Sequence, residues 1–450
     1  MQMRPTVAIV LAAALTAAAG PARAQTPAAP DSGLGGFLGS FADSTDRYFG
    51  LSAAPVDTAG LDTVLFDSAL RPRRRLELGV APAFDFSRVD GSVPGLSATF
   101  GAAAPDPERN GPGRLKATIA RATGPGVTLG GGRYTNRVRI ARQPLDVDLW
   151  GGRRTSDLDR DDQAGLLPMA RALLSGSDWT QYLREDGFAG ALALRRGWWR
   201  VRAGYDDLLQ SPQRTTTTWN LLGHALGRPG NLAAAPGRMR ELDYAAAAHW
   251  PRLPLHTELA YQTSSRRLGS DFEYRRLRAA AALDLSLGRA ASLVPQFLYG
   301  RLTGDPVPQA AFYLGGGSTL RSRHLDELGG SGVALAKVDL VGAQDLLALL
   351  RVPHPAALPL QGGLFAATSA VWGRDPSTGA VRRGVDWPDR RDWTSEAGAA
   401  LIYSSAIFPQ RSSLRVSCAW PVGPFAGASR WRISFTRAFD LLGPEPGDDE

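Results

Sequence analysis

From Arg73 onward, apolar and polar positions alternate with a period of two. Leu76, Leu78, Val80, Pro82, Phe84 and Phe86 alternate with Glu77, Gly79, Ala81, Ala83 and Asp85. Leu145, Val147 and Leu149 alternate with Asp146 and Asp148, and Leu242, Tyr244, Ala246, Ala248 and Trp250 stand opposite in parity to Glu241 and Asp243. Trp431, Ile433, Phe435 and Phe439 end the series against Arg430, Arg432, Ser434 and Thr436. Successive side chains of a strand point to opposite faces. Alternation over ~10-residue segments, with aromatics near their ends, is the pattern of membrane-spanning β-strands.

About sixteen such segments can be placed, an even number as in bacterial barrels. They fall at 74–87, 94–103, 114–122, 126–136, 144–153, 187–196, 198–207, 240–250, 253–263, 273–287, 291–302, 332–341, 360–372, 395–403, 413–421 and 429–439. Several connections alternate in length: 196–197, 251–252, 288–290 and 406–411 are short, whereas 154–186, 206–239, 303–331 and 373–394 are long. Short turns on one side and long loops on the other are what outer-membrane barrels show. The connection 342–359 is the exception, being long on the short side and carrying an apolar helical run at 343–350. The expected fold is all-β: a transmembrane antiparallel β-barrel over 73–439, followed by a tail at 440–450. A soluble β-sandwich or propeller is the competing architecture. The apolar parity, rich in Leu, Ala, Trp and Tyr without a clear repeat, speaks against it.

The compartment follows from the N-terminus. Residues 1–24 carry a short positive end, an apolar run at 7–19 and the small-x-small pattern Ala22-Arg23-Ala24, which reads as an export signal peptide. No later stretch approaches the roughly 20 apolar residues of a membrane helix. The mean hydropathy of −0.16 does not argue against a barrel, because lipid-facing and lumenal residues cancel. Residues 25–72, rich in Pro, Ala, Gly and Ser, form either a short periplasmic lead-in, with one helix at 34–48, or a plug inside the barrel. Cys418 is the single cysteine, so an intrachain disulfide is excluded. The formal charge is +8; the signal segment holds Arg4, Arg23 and no acid, which leaves +6. Lys116 and Lys337 are the only lysines, and the arginines are scattered among acids strand by strand. That spread suits a charged lumen or a lipopolysaccharide-facing rim, and no nucleic-acid partner is expected. The expected location is the bacterial outer membrane, as a monomer in contact with its lipid and lipopolysaccharide.

Residues 312–332, FYLGGGSTLRSRHLDELGGSG, are the most informative stretch. Gly315, Gly316 and Gly317 lead into Leu320-Arg321-Ser322-Arg323, between the eleventh and twelfth expected strands. This resembles the inward-folded loop of the BamA/TamA superfamily of outer-membrane barrels, whose tip carries a hydrophobic-Arg-Gly-aromatic motif. Residues 84–91 (FDFSRVDG) are similar to an opening motif of some relatives; 359–373, 414–422 and the terminal 429–439 resemble later strands. Trp431, Ile433, Phe435 and Phe439 match the terminal-strand assembly signal. The resemblance implies a barrel that inserts or translocates unfolded client proteins through a weakly paired seam between its first and last strands.

The sequence departs from that pattern in several places. Ser322 stands for the motif's Gly and Arg323 for its aromatic, so only Arg321 carries over. Ala367 occupies the position of a wall Asp, and Asp339 or Glu396 are the acids that could replace it. Lys337 and Asp339 share the polar parity of their strand, so Asp339 should face inward. The tail at 440–450 moves the closing aromatic off the chain end, and 25–71 is too short for periplasmic transport-associated domains. A guanidinium in a wet lumen can form a two-pronged pair with a wall carboxylate and pin the loop, while the glycines let the backbone turn.

Other constellations are weaker. The acids of 157–162 lack the Gly and terminal acid of a calcium loop, with Asp162 and Pro168 at those places. Helical spacing at 169–184 suggests a helix capping the same loop. The five histidines at 224, 249, 256, 324 and 354 show no metal spacing, and no hydrolase, phosphate-loop or redox motif is present. No cofactor or metal is therefore expected, nor an enzymatic activity. A passive pore or surface antigen is the alternative function, with a rim hydrolase built on His256 or His224 behind it.

Overall fold

The computed structural model describes residues 76–102, 113–140, 143–158, 173, 180–217, 220–221, 231–250, 253–354, 359–375, 379, 387–404, 413–423 and 429–436. The expected export signal, the 25–72 segment and the helix expected at 34–48, the acids of 159–162, His224, Phe439 and residues 440–450 lie outside these residues.

The chain runs as β1 (Leu76–Ser87), β2 (Gly91–Ala102), β3 (Arg114–Ala122), β4 (Val127–Ile140), β5 (Gln143–Asp157), β6 (Tyr182–Arg196), β7 (Trp199–Pro212), β8 (Gly237–Trp250) and β9 (Leu255–Ser264). It continues as β10 (Tyr274–Leu283), β11 (Leu285–Leu287), β12 (Ala291–Gly304), β13 (Phe312–Leu314), β14 (Leu328–Gly330) and β15 (Gly332–Gly342). After the helix α1 (Leu346–Leu349) come β16 (Leu360–Trp372), β17 (Trp393–Ser404), β18 (Ser413–Val422) and β19 (Arg430–Thr436). β10 and β11 are one wall strand interrupted at Asp284, both pairing with β12. β13 and β14 form a separate two-stranded hairpin. The wall therefore has sixteen strands, each antiparallel to its sequence neighbours. No ladder joins β1 to β19 among the described residues.

The burial pattern is that of a protein dissolved in lipid. Leu78 and Leu96 are 71 and 57 % exposed, as are Ile119 (61 %), Leu259 (50 %) and Leu364 (59 %). Residues of the opposite parity, among them Glu241, Gln296, Lys337, Asp339, Glu396 and Ser417, are buried. Apolar outside and polar inside suits a hydrocarbon solvent, in which every backbone group must be satisfied by its neighbour strand. The sheet is curled: Leu208 on β7, Met239 on β8, Tyr274 on β10 and Leu302 on β12 share one buried cluster with Leu335 on β15 and Val371 on β16. Strands ~4.8 Å apart could not converge in this way on a flat sheet. Aromatic groups mark both ends. Trp198 and Trp250 lie 4.9 Å apart at one end, and Tyr299, Trp372 and Trp387 within 6.4 Å of one another at the other. The chain is a transmembrane β-barrel of sixteen strands, and an even-stranded single-chain barrel with an outward apolar band belongs to the bacterial outer membrane.

Each expected segment corresponds to a wall strand, with one systematic difference at the long-loop end. β5 extends to Asp157, β6 begins at Tyr182, β7 reaches Pro212 and β8 begins at Gly237. The added rungs carry ion pairs: Arg154–Glu185 at 2.9 Å, Arg153–Asp186 at 2.5 Å and Arg238–Asp207 at 2.6 Å. The hydrophobic alternation ends where these strands leave the lipid, while the ladder continues into the outer loops. This corrects the end of the helix expected at 169–184: Leu173 is helical, but Tyr182, Leu183 and Arg184 are strand, paired with Asp157, Ser156 and Thr155. Cross-strand pairing outweighs the helical spacing of those three residues.

Candidate functional site

The segment between β12 and β15 is built around the β13–β14 hairpin, in which Phe312 faces Gly330 and Leu314 faces Leu328. Gly315 and Gly316 have φ of 128° and 105°, a region open to glycine and strained for other residues. A Cβ on Gly315 would lie 1.8 Å from the His324 carbonyl oxygen. The turn closes on itself. Gly316 N donates to the Leu320 carbonyl at 3.1 Å, and the Thr319 hydroxyl both accepts from Gly315 N and donates to Gly315 O at 2.9 Å. Gly317 has no left-handed φ; its carbonyl accepts from Arg321 Nε at 3.2 Å. Leu314 and Leu320 are fully buried.

Arg321, 1 % exposed, sits at the centre. Its Nη1 and Nη2 donate to Asp339 Oδ1 and Oδ2 at 3.0 and 3.3 Å, the two-pronged geometry that matches a guanidinium to a carboxylate. The guanidinium lies 4.1 Å over the Phe365 ring. Glu396 plays a different part: its Oε1 and Oε2 accept from the backbone N–H groups of Arg321 and Ser322 at 2.8 and 2.7 Å. The side chain is thus fixed by one acid and the backbone by the other.

The row across the wall explains the placement. Asp339 on β15 faces Phe365 on β16, which faces Gly398 on β17, which faces Ala419 on β18. A Cβ on Gly398 would lie 2.3 Å from the Phe365 ring, so glycine there makes room for the ring. One row away, Lys337 faces Ala367, which faces Glu396. Ala367 belongs to the apolar cluster containing Leu314 and Leu320.

Three further cations complete the site. Lys337 Nζ donates to the Ser318 carbonyl at 2.6 Å and lies 3.9 Å from Asp339. Arg415 on β18 donates to Asp339 Oδ1 at 2.8 Å. Arg432 on β19 donates to the carbonyls of Arg321, at 3.3 Å, and of Arg323. Strands β15, β16, β17 and β19 each touch the tip, and β18 reaches it through Arg415 on the shared Asp339. Sequence reasoning missed Phe365, Arg415 and Arg432. Arg432 carried a signal, since it holds the polar parity beside Trp431; Trp431 itself is 74 % exposed. Ile433 and Phe435 lie on β19 at the same parity as Trp431.

The residues 84–91 lie elsewhere. Arg88 Nη2 donates to the Thr180 carbonyl at 2.7 Å and to Asn231 Oδ1 at 3.2 Å. Arg184 pairs with Asp90 at 2.6 Å, so the β1–β2 turn is tied to the outer ends of β6 and the β7–β8 loop. Of the histidines, His249 and His256 bond each other at 2.9 Å, and His354 pairs with Asp345. His256 is 8 % exposed.

No protein-family model matches this chain, and no curated protein does. Solved structures similar to it include BamA from Haemophilus ducreyi lacking POTRA domains 1–3, at 13 % identity, TM-score 0.45, over 92 % of this chain and 79 % of that one. CdiB from Acinetobacter baumannii is similar at 11 % identity, TM-score 0.40, over 80 % of this chain and 59 % of that one. The outer membrane protein opdK from Pseudomonas aeruginosa is similar at 13 % identity, TM-score 0.35, over 80 % and 97 %.

Proposed function

We propose that this barrel inserts or translocates unfolded client proteins, with residues 312–332 as an inward-folded strut and a seam between β1 and β19 that opens toward lipid. The observation that carries the reading is the attachment of the Arg321 tip to β15, β16, β17 and the last strand β19, with Arg415 of β18 binding the same Asp339. A loop that only covered a pore would need anchoring at its own base. Reaching across to Arg432 instead ties the loop to the edge strand whose pairing must be weak for a seam to work. Such a strut holds the last five strands of the wall as one unit, so that opening is confined to the β1 side. Asp339 and Glu396 are the lumenal partners in this reading, Gly315–Gly317 the turn, and Trp431, Ile433 and Phe435 part of the strand recognised during assembly. The protein acts as a monomer.

Photo-crosslinking from Leu78 on β1 and Trp431 on β19 in growing cells tests it. Capture of other outer-membrane precursors at both positions, and not at Leu259 on the far wall, is expected. Adducts at Leu259 equal to those at Leu78 and Trp431 would leave a passive pore. The paired polar lumen of β4 to β8, with Arg133–Asp148 and Arg137–Asp146 at 2.9 and 2.6 Å, would then be the feature that solutes meet.

A further inference from the structure

The connection between β15 and β16 does not hang freely below the wall. Asp345 caps α1 by accepting from Leu347 N at 2.9 Å and also accepts from Leu360 N at 3.2 Å, at the start of β16. His354 binds the same carboxylate, and Val352 N donates to the Leu347 carbonyl at 2.8 Å. These bonds fold the turn back toward the strand it precedes. Leu346 Cδ1 then sits 3.4 Å from the position of a Cβ on Gly362. Gly362 has the parity of Leu364, which is 59 % exposed, and faces Leu401, 46 % exposed, on β17. The helix therefore rests on the outer, lipid-side face of β16. Beyond that contact Leu349, Leu350 and Val352 are 66, 70 and 45 % exposed, with the exposed Arg351 between the last two.

We infer that α1 and the residues after it form an interfacial foot, with Leu349, Leu350 and Val352 in the acyl-chain boundary of the leaflet on the short-turn side and Arg351 at its phosphate level. The occupant is phospholipid because the patch is continuous, through Leu346 on Gly362, with the lipid-facing band of Leu364 and Leu401. A short apolar helix with a basic neighbour at the edge of that band has the chemistry of an interfacial anchor. The closed turn presents the leucines in a fixed place instead of leaving them to collapse into the lumen. The inference rests on the membrane placement of the barrel.

Nitroxide labels test it, attached at Leu349→Cys, Leu350→Cys and Val352→Cys in a Cys418→Ser background and reconstituted in phosphatidylethanolamine–phosphatidylglycerol vesicles. Leu364→Cys serves as the band reference and Arg266→Cys, in an exposed loop, as the water reference. Labels at 349 and 350 should favour oxygen over a nickel chelate, as at 364 and opposite to 266. Nickel access at 349 and 350 equal to that at 266, with 364 still in lipid, overturns the foot alone. Spin–spin broadening between copies at 349 would overturn it in favour of a dimer contact. Nickel access at 364 would instead sink the membrane placement itself.

Discussion

Arg321 and Asp339 stand 18 residues apart in sequence and form a fully buried, two-pronged ion pair between a loop tip and the wall strand that follows it. Bringing both charges out of water is costly, and the pair is viable because the remaining lone pairs and protons are used. Asp339 also accepts from Arg415, and Arg321 Nε donates to Gly317 O. Removing one partner costs about 3–5 kcal/mol where the other is left uncompensated; Arg415 and Lys337 still face Asp339, so losing Arg321 destabilises by less than that.

Arg321→Ala should therefore lower the temperature at which the barrel loses its compact, fast-migrating form on detergent gels. Arg266→Ala, at a side chain 76 % exposed, should not. Surface charges contribute about 0–1 kcal/mol, so the two variants separate clearly. Equal heat resistance would show that the tip adds nothing to the wall.

Asp339→Asn should be worse than Arg321→Ala. It leaves Arg321, Lys337 and Arg415 facing a neutral amide, three cations with one shared counter-charge removed. Adding Arg415→Met should recover part of the loss, because contacting charges are not additive. Thermal unfolding of the two single variants and the double variant reads the coupling directly. Strict additivity would mean that Arg415 and Asp339 act independently.

The wall was legible from alternation because lipid imposes a strict period of two wherever a strand crosses it. Parity alone gives the inward face of Asp339. Two acids were open as partners of Arg321, and the geometry uses both, one for the guanidinium and one for the backbone. Which distant strands supply Phe365, Arg415 and Arg432 was not legible. It depends on curvature and register across five strands, and one added residue in any of them would flip its parity. The extensions of β5 to β8 were hidden for a different reason. Their outer rungs are held by ion pairs and carry no apolar alternation to read.

Gly315→Ala should cost more than Gly317→Ala. The first residue holds φ of 128° with its missing Cβ directed at His324 O, whereas the second has no left-handed φ. Strained backbone of this kind costs about 1–3 kcal/mol, and the clash adds to it. Protease cleavage within 312–332 reads the difference: the Gly315 variant should be cut faster than the Gly317 variant. Equal rates would mean that the turn tolerates a different path.

The Asp345–His354 clip makes the β15–β16 turn sensitive to pH. His354 Nδ1 faces the Val352 carbonyl at 2.9 Å and Nε2 faces Asp345, so both ring nitrogens meet acceptors and the imidazolium is favoured. The Val352 carbonyl, against an opposing burial effect and with help from Asp345, raises the His354 pKa above its usual 6.5. Burial pushes Asp345 up, but the N–H groups of Leu360 and Leu347 and the His354 ring outweigh it and leave the carboxyl below its usual 3.8. A raised histidine gives stability that is fully present below 6.5 and lost as pH rises through its folded value. A lowered carboxyl gives stability present above 3.8 and lost as pH falls through its folded value. The clip is thus tightest between those two usual values and loosens on the alkaline side. Amide exchange at Leu349 and Leu350, whose N–H groups bond Asp345 O and Leu346 O, follows it once the intrinsic exchange rate is divided out. Protection should fall as the solution becomes alkaline, and His354→Gln should abolish that fall. Protection unchanged from mildly acidic to alkaline solution would show that the helix cap holds without the histidine.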